Sequence, residues 1–129
     1  MHRRASYSDA LRLFNQVIKQ LNTASSIPKK SPELASTLLS ALTDALKALL
    51  VLLGYGYYSY SDVTNLAALL LESGVIDEKT FSEIINAYLG LKGIIRINED
   101  YIVGVIRKLI YIASDIDPYL DQQLNLFRY

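Results

Sequence analysis

Lys92, Arg96, Arg107 and Lys108, with Tyr101 between them, are the side chains whose types and spacing suit the holding of a phosphate. Each cation offers charge-assisted hydrogen bonds to an anionic oxygen. The nearest carboxylates are Glu99 and Asp100. Moving a proton is a harder demand. General acid–base catalysis needs a titrating group within hydrogen-bond reach of the reacting atom, and the only histidine is His2, far away in sequence near a terminus. The group therefore reads as a grip and not as a cutting centre. Its plain alternative is a set of solvated helix ends, because a cation near a helix C-terminus is stabilising by itself, and we favour that alternative on residue type alone.

Two further clusters bear on function. Tyr55, Tyr57, Tyr58 and Tyr60 crowd the segment GYGYYSYSD. Aromatic side chains stack on bases where a basic groove surrounds them, but no basic residue lies among these four. Packing over the bundle is the first reading, and the rim of a protein interface the second. Asp115, Asp117 and Asp121 lie close together, yet a calcium loop needs more oxygen ligands and a glycine turn. They read as solvated acids at a helix end, and neither a metal nor a cofactor is expected.

The elements that must position these residues follow from composition and period. With 129 residues, 51% apolar and 20% charged, the chain is too hydrophobic for disorder and long enough to bury a core. No cysteine is present, which removes disulfides, thiol nucleophiles and cysteine-bound zinc. The net charge is zero but uneven: Arg3, Arg4, Arg12, Lys19, Lys29 and Lys30 precede residue 31 against one acid, Asp9, a weak pointer to an anionic partner. The longest uninterrupted apolar run, from Ala48 to Leu53, is far short of the roughly 20 residues that cross a bilayer. We therefore expect no membrane span and a cytoplasmic protein.

Apolar residues at three- and four-residue spacing predict a helix over 8–22 through Phe14, Val17 and Leu21. Ser31 as N-cap and Pro32 at the first helical position open a second, leucine-rich helix that runs to about Leu53. It is apolar on nearly every side, which predicts an oligomer interface through Leu46, Leu49 and Leu50 together with Tyr55, Tyr57 and Tyr58. A short third helix follows Ser61 or Asp62 and ends before Gly74. Asp77 caps a fourth helix and Asn98 a fifth, with Glu99 and Asp100 in its first turn. Pro118 marks either the end of that helix or the first residue of a terminal one.

The leucine-rich second helix ending in glycine, the loop, the short Leu66-x-x-Leu69-Leu70 helix, and then Gly74-Val75-Ile76-Asp77-Glu78 resemble the HEPN family. The likeness is to its branch of toxins paired with minimal nucleotidyltransferases, and it covers the chain from about residue 34 to residue 115. In that branch the fourth helix leads to R-N-x-x-x-H-x-Y. The corresponding string here begins Lys92-Gly93-Ile94-Ile95-Arg96-Ile97-Asn98-Glu99 and continues through Asp100 and Tyr101. Active members cut RNA, and the resemblance implies that the arginine positions the phosphate while the histidine moves protons. Here Lys92 and Ile97 stand in those places. A lysine keeps the charge without the planar two-point grip, and an isoleucine can neither donate nor accept a proton.

The expected protein is an all-α, up-and-down antiparallel bundle of four to five helices, one domain over 1–129, with its core over about 8–115 and a C-terminal extension over 116–129. The expected function is a non-catalytic HEPN-like binding module, homodimeric, with a nucleotidyltransferase, a nucleotide or RNA as partner. Lys92, Arg96, Tyr101 and Arg107 would supply the phosphate contacts. Two rivals stay open: a ribonuclease or nucleotide-modifying enzyme using Lys92, Arg96 and Glu99 or Asp100, and a structural subunit unrelated to HEPN.

Overall fold

The computed structural model describes residues 2–55 and 62–125, with the side chains of 2–6, 121 and 125 left aside. Six helices occupy the described residues: α1 (His2–Ala24), α2 (Pro32–Leu52), α3 (Val63–Glu72), α4 (Glu78–Leu91), α5 (Glu99–Ile116) and α6 (Pro118–Asn125). The starts of α2, α4 and α5 are fixed by side chains that accept a hydrogen bond from a first-turn backbone N–H. Ser31 Oγ accepts from Leu34 N at 3.2 Å, Asp77 Oδ1 from Thr80 N at 2.8 Å, and Asn98 Oδ1 from Tyr101 N at 2.9 Å. The bond from Thr80 holds the Asp77 carboxyl below the ordinary range. Asp62 precedes α3 without a capping bond of its own. Its Oδ1 instead lies 3.4 Å from the Tyr88 hydroxyl on α4.

The ends share one device. Helices α2, α3 and α4 each stop at a glycine with positive φ, Gly54, Gly74 and Gly93. In each case the next N–H reaches back to a carbonyl in the last turn: Tyr55 to Leu50, Val75 to Leu70 and Ile94 to Leu89. This pairing satisfies carbonyls that the helix itself leaves open.

Helix α2 is the centre, touching α1, α3, α4 and α5. Leu38, Leu42, Leu46, Leu49 and Leu50 are all essentially inaccessible to solvent. Each stabilises the fold by about 1.5–3 kcal/mol through burial. By length and composition α2 is also apolar enough to cross a bilayer. That differs from the expectation drawn from unbroken runs, because Asp44 and Lys47 interrupt the run without lowering the average of the helix enough. Its apolar surface is largely enclosed by the chain's own helices.

Helices α1 and α2 run antiparallel, as their polar seam shows. Gln20 Nε2 donates to Ser40 Oγ at 2.8 Å and to Asp44 Oδ2 at 3.3 Å, and Gln16 Nε2 donates to the same Asp44 oxygen at 3.2 Å. Burial in this seam raises the Asp44 carboxyl above its ordinary value, against the lowering effect of Gln20, Lys47 and Arg12.

One helix boundary differs from the sequence expectation, and of the two readings of Pro118 the structure has the second, the first residue of a terminal helix. Helix α1 begins at His2, several residues early, and its Tyr7 stacks on Tyr119 of α6 with ring centroids 5.5 Å apart. Pro118 opens α6, whose first N–H groups, those of Tyr119 and Leu120, donate to Asp117 Oδ1. Leu120 and Leu124 are buried in the common core. The segment expected as an extension is thus part of the packing, held by contacts distant in sequence that no local period announces.

Candidate ligand-binding cavity

The turn between α4 and α5 carries the residues first singled out. Lys92 forms the end of α4, its ammonium 5.8 Å from the centre of the Tyr88 ring. Ile94 and Ile95 follow as exposed aliphatic side chains, and Arg96 is exposed beside them. Ile97 then turns inward and packs against the core. It meets α4 at Gly90 so closely that a Cβ added there would lie 2.7 Å from Ile97 Cβ. The position that the resemblance aligns with a proton-moving histidine is therefore an apolar plug seated on a glycine. Tyr101 is partly buried against the core in the first turn of α5.

Arg107 belongs to another region. It lies in the wall of a cavity of about 760 Å³ formed by the end of α1, the α1–α2 turn, the start of α2, one face of α5 and Leu124 of α6. Lys92, Arg96 and Tyr101 do not line it. Lys108, one residue on and so about 100° around the helix, does not line the cavity and bonds Glu83 of α4 at 2.9 Å. The expected row of cations is thus divided between two sides of α5.

The cavity floor is aliphatic, supplied by Ile18 and Leu21 of α1, Leu34 and Leu38 of α2, and Val103 and Ile110 of α5. Its lining carries charges of both signs: Lys29 from the α1–α2 turn, Arg107 from α5, and Glu99 and Asp100 from the first turn of α5. Asn22, Ser25 and Ser114 add uncharged hydrogen-bonding groups, and Tyr111, well exposed, flanks the wall. Small-molecule pockets are usually lined mostly by apolar side chains, whereas polar and apolar groups line this one about equally. The two carboxylates lie in the first turn of α5, where acidic side chains also favour the helix N-terminus.

The chain matches no protein-family model, no curated protein and no solved structure.

The interface expectation needs correction. Leu46, Leu49 and Leu50 have no exposed surface, because the other helices wrap α2 on the sides they occupy. The surplus of leucine that motivated a homodimer is absorbed within one chain. Tyr55 is exposed, whereas Tyr57 and Tyr58, like Tyr60 and Ser61, lie outside the described residues.

Of the cavity's polar residues, only Arg107 was anticipated as a contact, with Glu99 and Asp100 noted as neighbouring carboxylates. Lys29 stood out only as part of a basic N-terminal third, and Asn22 and Ser25 carried no signal. Gly104 also lines the cavity. The available clue was a glycine inside an otherwise regular helical stripe, far from either end of α5.

Proposed function

We propose that this protein is a non-catalytic binding module, a HEPN-like up-and-down helical bundle that holds its ligand in the cavity between the α1–α2 turn and α5. The observation that carries this reading is the cavity itself: about 760 Å³, lined by aliphatic side chains and by charged residues of both signs. That volume falls within the roughly 300–1,000 Å³ range of pockets that enclose small molecules. The all-helical architecture and the antiparallel α1–α2 pair support the bundle order, and the helix sequence supports the HEPN likeness. Lack of catalysis is argued from composition. The chain has a single imidazole, on His2, and at the place where the likeness calls for another it has Ile97 pressed against Gly90.

The test is a protein-observed NMR screen with a library of small fragments. Binding to this cavity predicts chemical-shift changes clustered on residues of the α1–α2 turn and on Val103, Gly104 and Arg107. Hits that gather elsewhere, or no hits, would overturn the assignment of the cavity. A parallel incubation with labelled single-stranded RNA is expected to leave the RNA intact. Turnover that disappears in Lys92→Ala would replace the binding reading with the nuclease one.

A further inference from the structure

Two corners of the molecule share one local pattern and put it to different use. After α3 the chain reads Gly74-Val75-Ile76, and after α4 it reads Gly93-Ile94-Ile95. In both, the glycine has positive φ and the next N–H bonds back to the last turn, to Leu70 at 3.2 Å and to Leu89 at 2.9 Å. At the first corner the apolar pair goes inward: Val75 packs against the core and Ile76 is 3% exposed. At the second it stays outside, with Ile94 66% and Ile95 37% exposed. Ile97 already fills that corner against Gly90, so its packing does not draw on the pair.

The charges differ as well. Glu72, Asp77 and Glu78 border the inward pair, whereas Lys92 and Arg96 bracket the exposed one. Both cations are exposed, and neither forms an ion pair among the described residues. The α1–α2 turn, which shares the cavity lining with the first turn of α5, brings the exposed Lys29 and Lys30 to the same end of the bundle. The acids of that end, Glu33, Glu99 and Asp100, lie within the first turns of α2 and α5, where a helix N-terminus favours them. Neither turn itself contains an acid.

Aliphatic side chains bracketed by cations suit one kind of surface. RNA would take the charges, but it is gripped by aromatic stacking, which isoleucine does not supply. A stable protein interface needs roughly 1,000 Å² or more, of which two adjacent side chains on a turn are a fraction. A bilayer asks for less. Apolar side chains reach the acyl boundary while cations remain at the level of anionic headgroups.

We propose that the α4–α5 turn docks the protein on the surface of an anionic lipid bilayer, with Ile94 and Ile95 at the acyl boundary and Lys92 and Arg96 among the headgroup phosphates. The contact is peripheral and reversible, since a short apolar tip with a few cations falls short of a stable anchor. The cavity plays no part in it, so the two assignments stand or fall separately.

The experiment is sedimentation of the full chain with vesicles of phosphatidylcholine alone and of phosphatidylcholine mixed with an equal part of phosphatidylglycerol. Binding to the anionic vesicles is expected to be tighter by about tenfold or more, and to weaken as salt rises. Ile94→Ser combined with Ile95→Ser is expected to weaken it by about tenfold through lost apolar burial, with no change in melting temperature. Lys92→Ala and Arg96→Ala are each expected to weaken it about fivefold, the effect of one cation near an anionic leaflet. Ile116→Ser, at an exposed isoleucine at the other end of α5, leaves binding unchanged. Because the chain has no tryptophan, Ile94→Trp supplies a single fluorophore whose emission should move to shorter wavelength on the anionic vesicles. No binding to those vesicles, equal binding to neutral ones, indifference to the isoleucine changes, or unshifted emission overturns the proposal. So does light scattering in which the wild type is a dimer and the double isoleucine variant a monomer, which gives the pair to a second copy of the chain. Binding of a short single-stranded RNA that survives the isoleucine changes but not Lys92→Ala, and is tighter than binding to the vesicles, gives the turn to nucleic acid and overturns it too.

Discussion

Two glycines on neighbouring helices divide the molecule into a closed region and an open one. At Gly90 the absent side chain is replaced by Ile97, and the α4–α5 corner is filled. At Gly104 no described residue replaces it, and the same α5 whose Ile102, Ile106 and Leu109 are buried in the core turns an open face to the α1–α2 turn among the described residues. The difference teaches that a residue type acquires meaning from what its neighbours do with the space. Charge follows the same division: Lys108 is tied to Glu83 on the closed side, while Arg107 rims the cavity.

A core truncation sets the scale for testing this contrast. Leu46→Ala is expected to destabilise the fold by about 3 kcal/mol through lost burial and the cavity left behind. The loss, measured by urea denaturation, should not depend on protein concentration if Leu46 serves its own chain. Gly90→Val comes next at about 2 kcal/mol, the usual range for forcing volume into a packed contact. Part of that loss should return when Ile97→Gly, which removes the Cβ that meets Gly90, is added, a coupling that would vanish if the corner were loose. Gly104→Ala is expected to change stability in the opposite direction, by about 1 kcal/mol of stabilisation. A destabilising result would mean that the α5 face is packed and the contrast between the two glycines is false.

The smallest effects concern pH. Asp44 has a raised folded value, so its contribution is fully present below the unfolded value of 3.8 and is lost as pH rises through the folded one. Relative to Asp44→Asn, the wild type should therefore weaken over that rise. Asp77 behaves oppositely. Its lowered folded value gives stability that is present above 3.8 and disappears as pH falls through the folded value. Denaturation of the two variants, Asp44→Asn and Asp77→Asn, across the acid range would show difference curves of opposite slope.

How much of this was legible in the sequence depended on how local its cause was. The caps Ser31, Asp77 and Asn98 could be read directly, because a capping bond spans three residues. The start of α1 and the docking of α6 could not. Both involve Tyr7 meeting Tyr119 across nearly the whole chain. The buried leucines of α2 were recognised as apolar but assigned to a partner, since composition does not say how many helices will surround a given one. The cavity was hidden for a related reason: Ile18, Lys29, Leu34, Arg107 and Leu124 come from separate segments and share no motif. Gly104 alone carried a local mark, as a residue that weakens the helix containing it.

Helix α6 spans eight of the described residues, too few to persist without tertiary support. It is held by the caps from Asp117, by burial of Leu120, and by Leu124, which is also part of the cavity wall. Occupation of that hollow therefore adds an anchor to the least self-sufficient helix, and its backbone amides should exchange with deuterium more slowly once a guest is in place. The end of α6 thus becomes a reporter of whether the hollow is full.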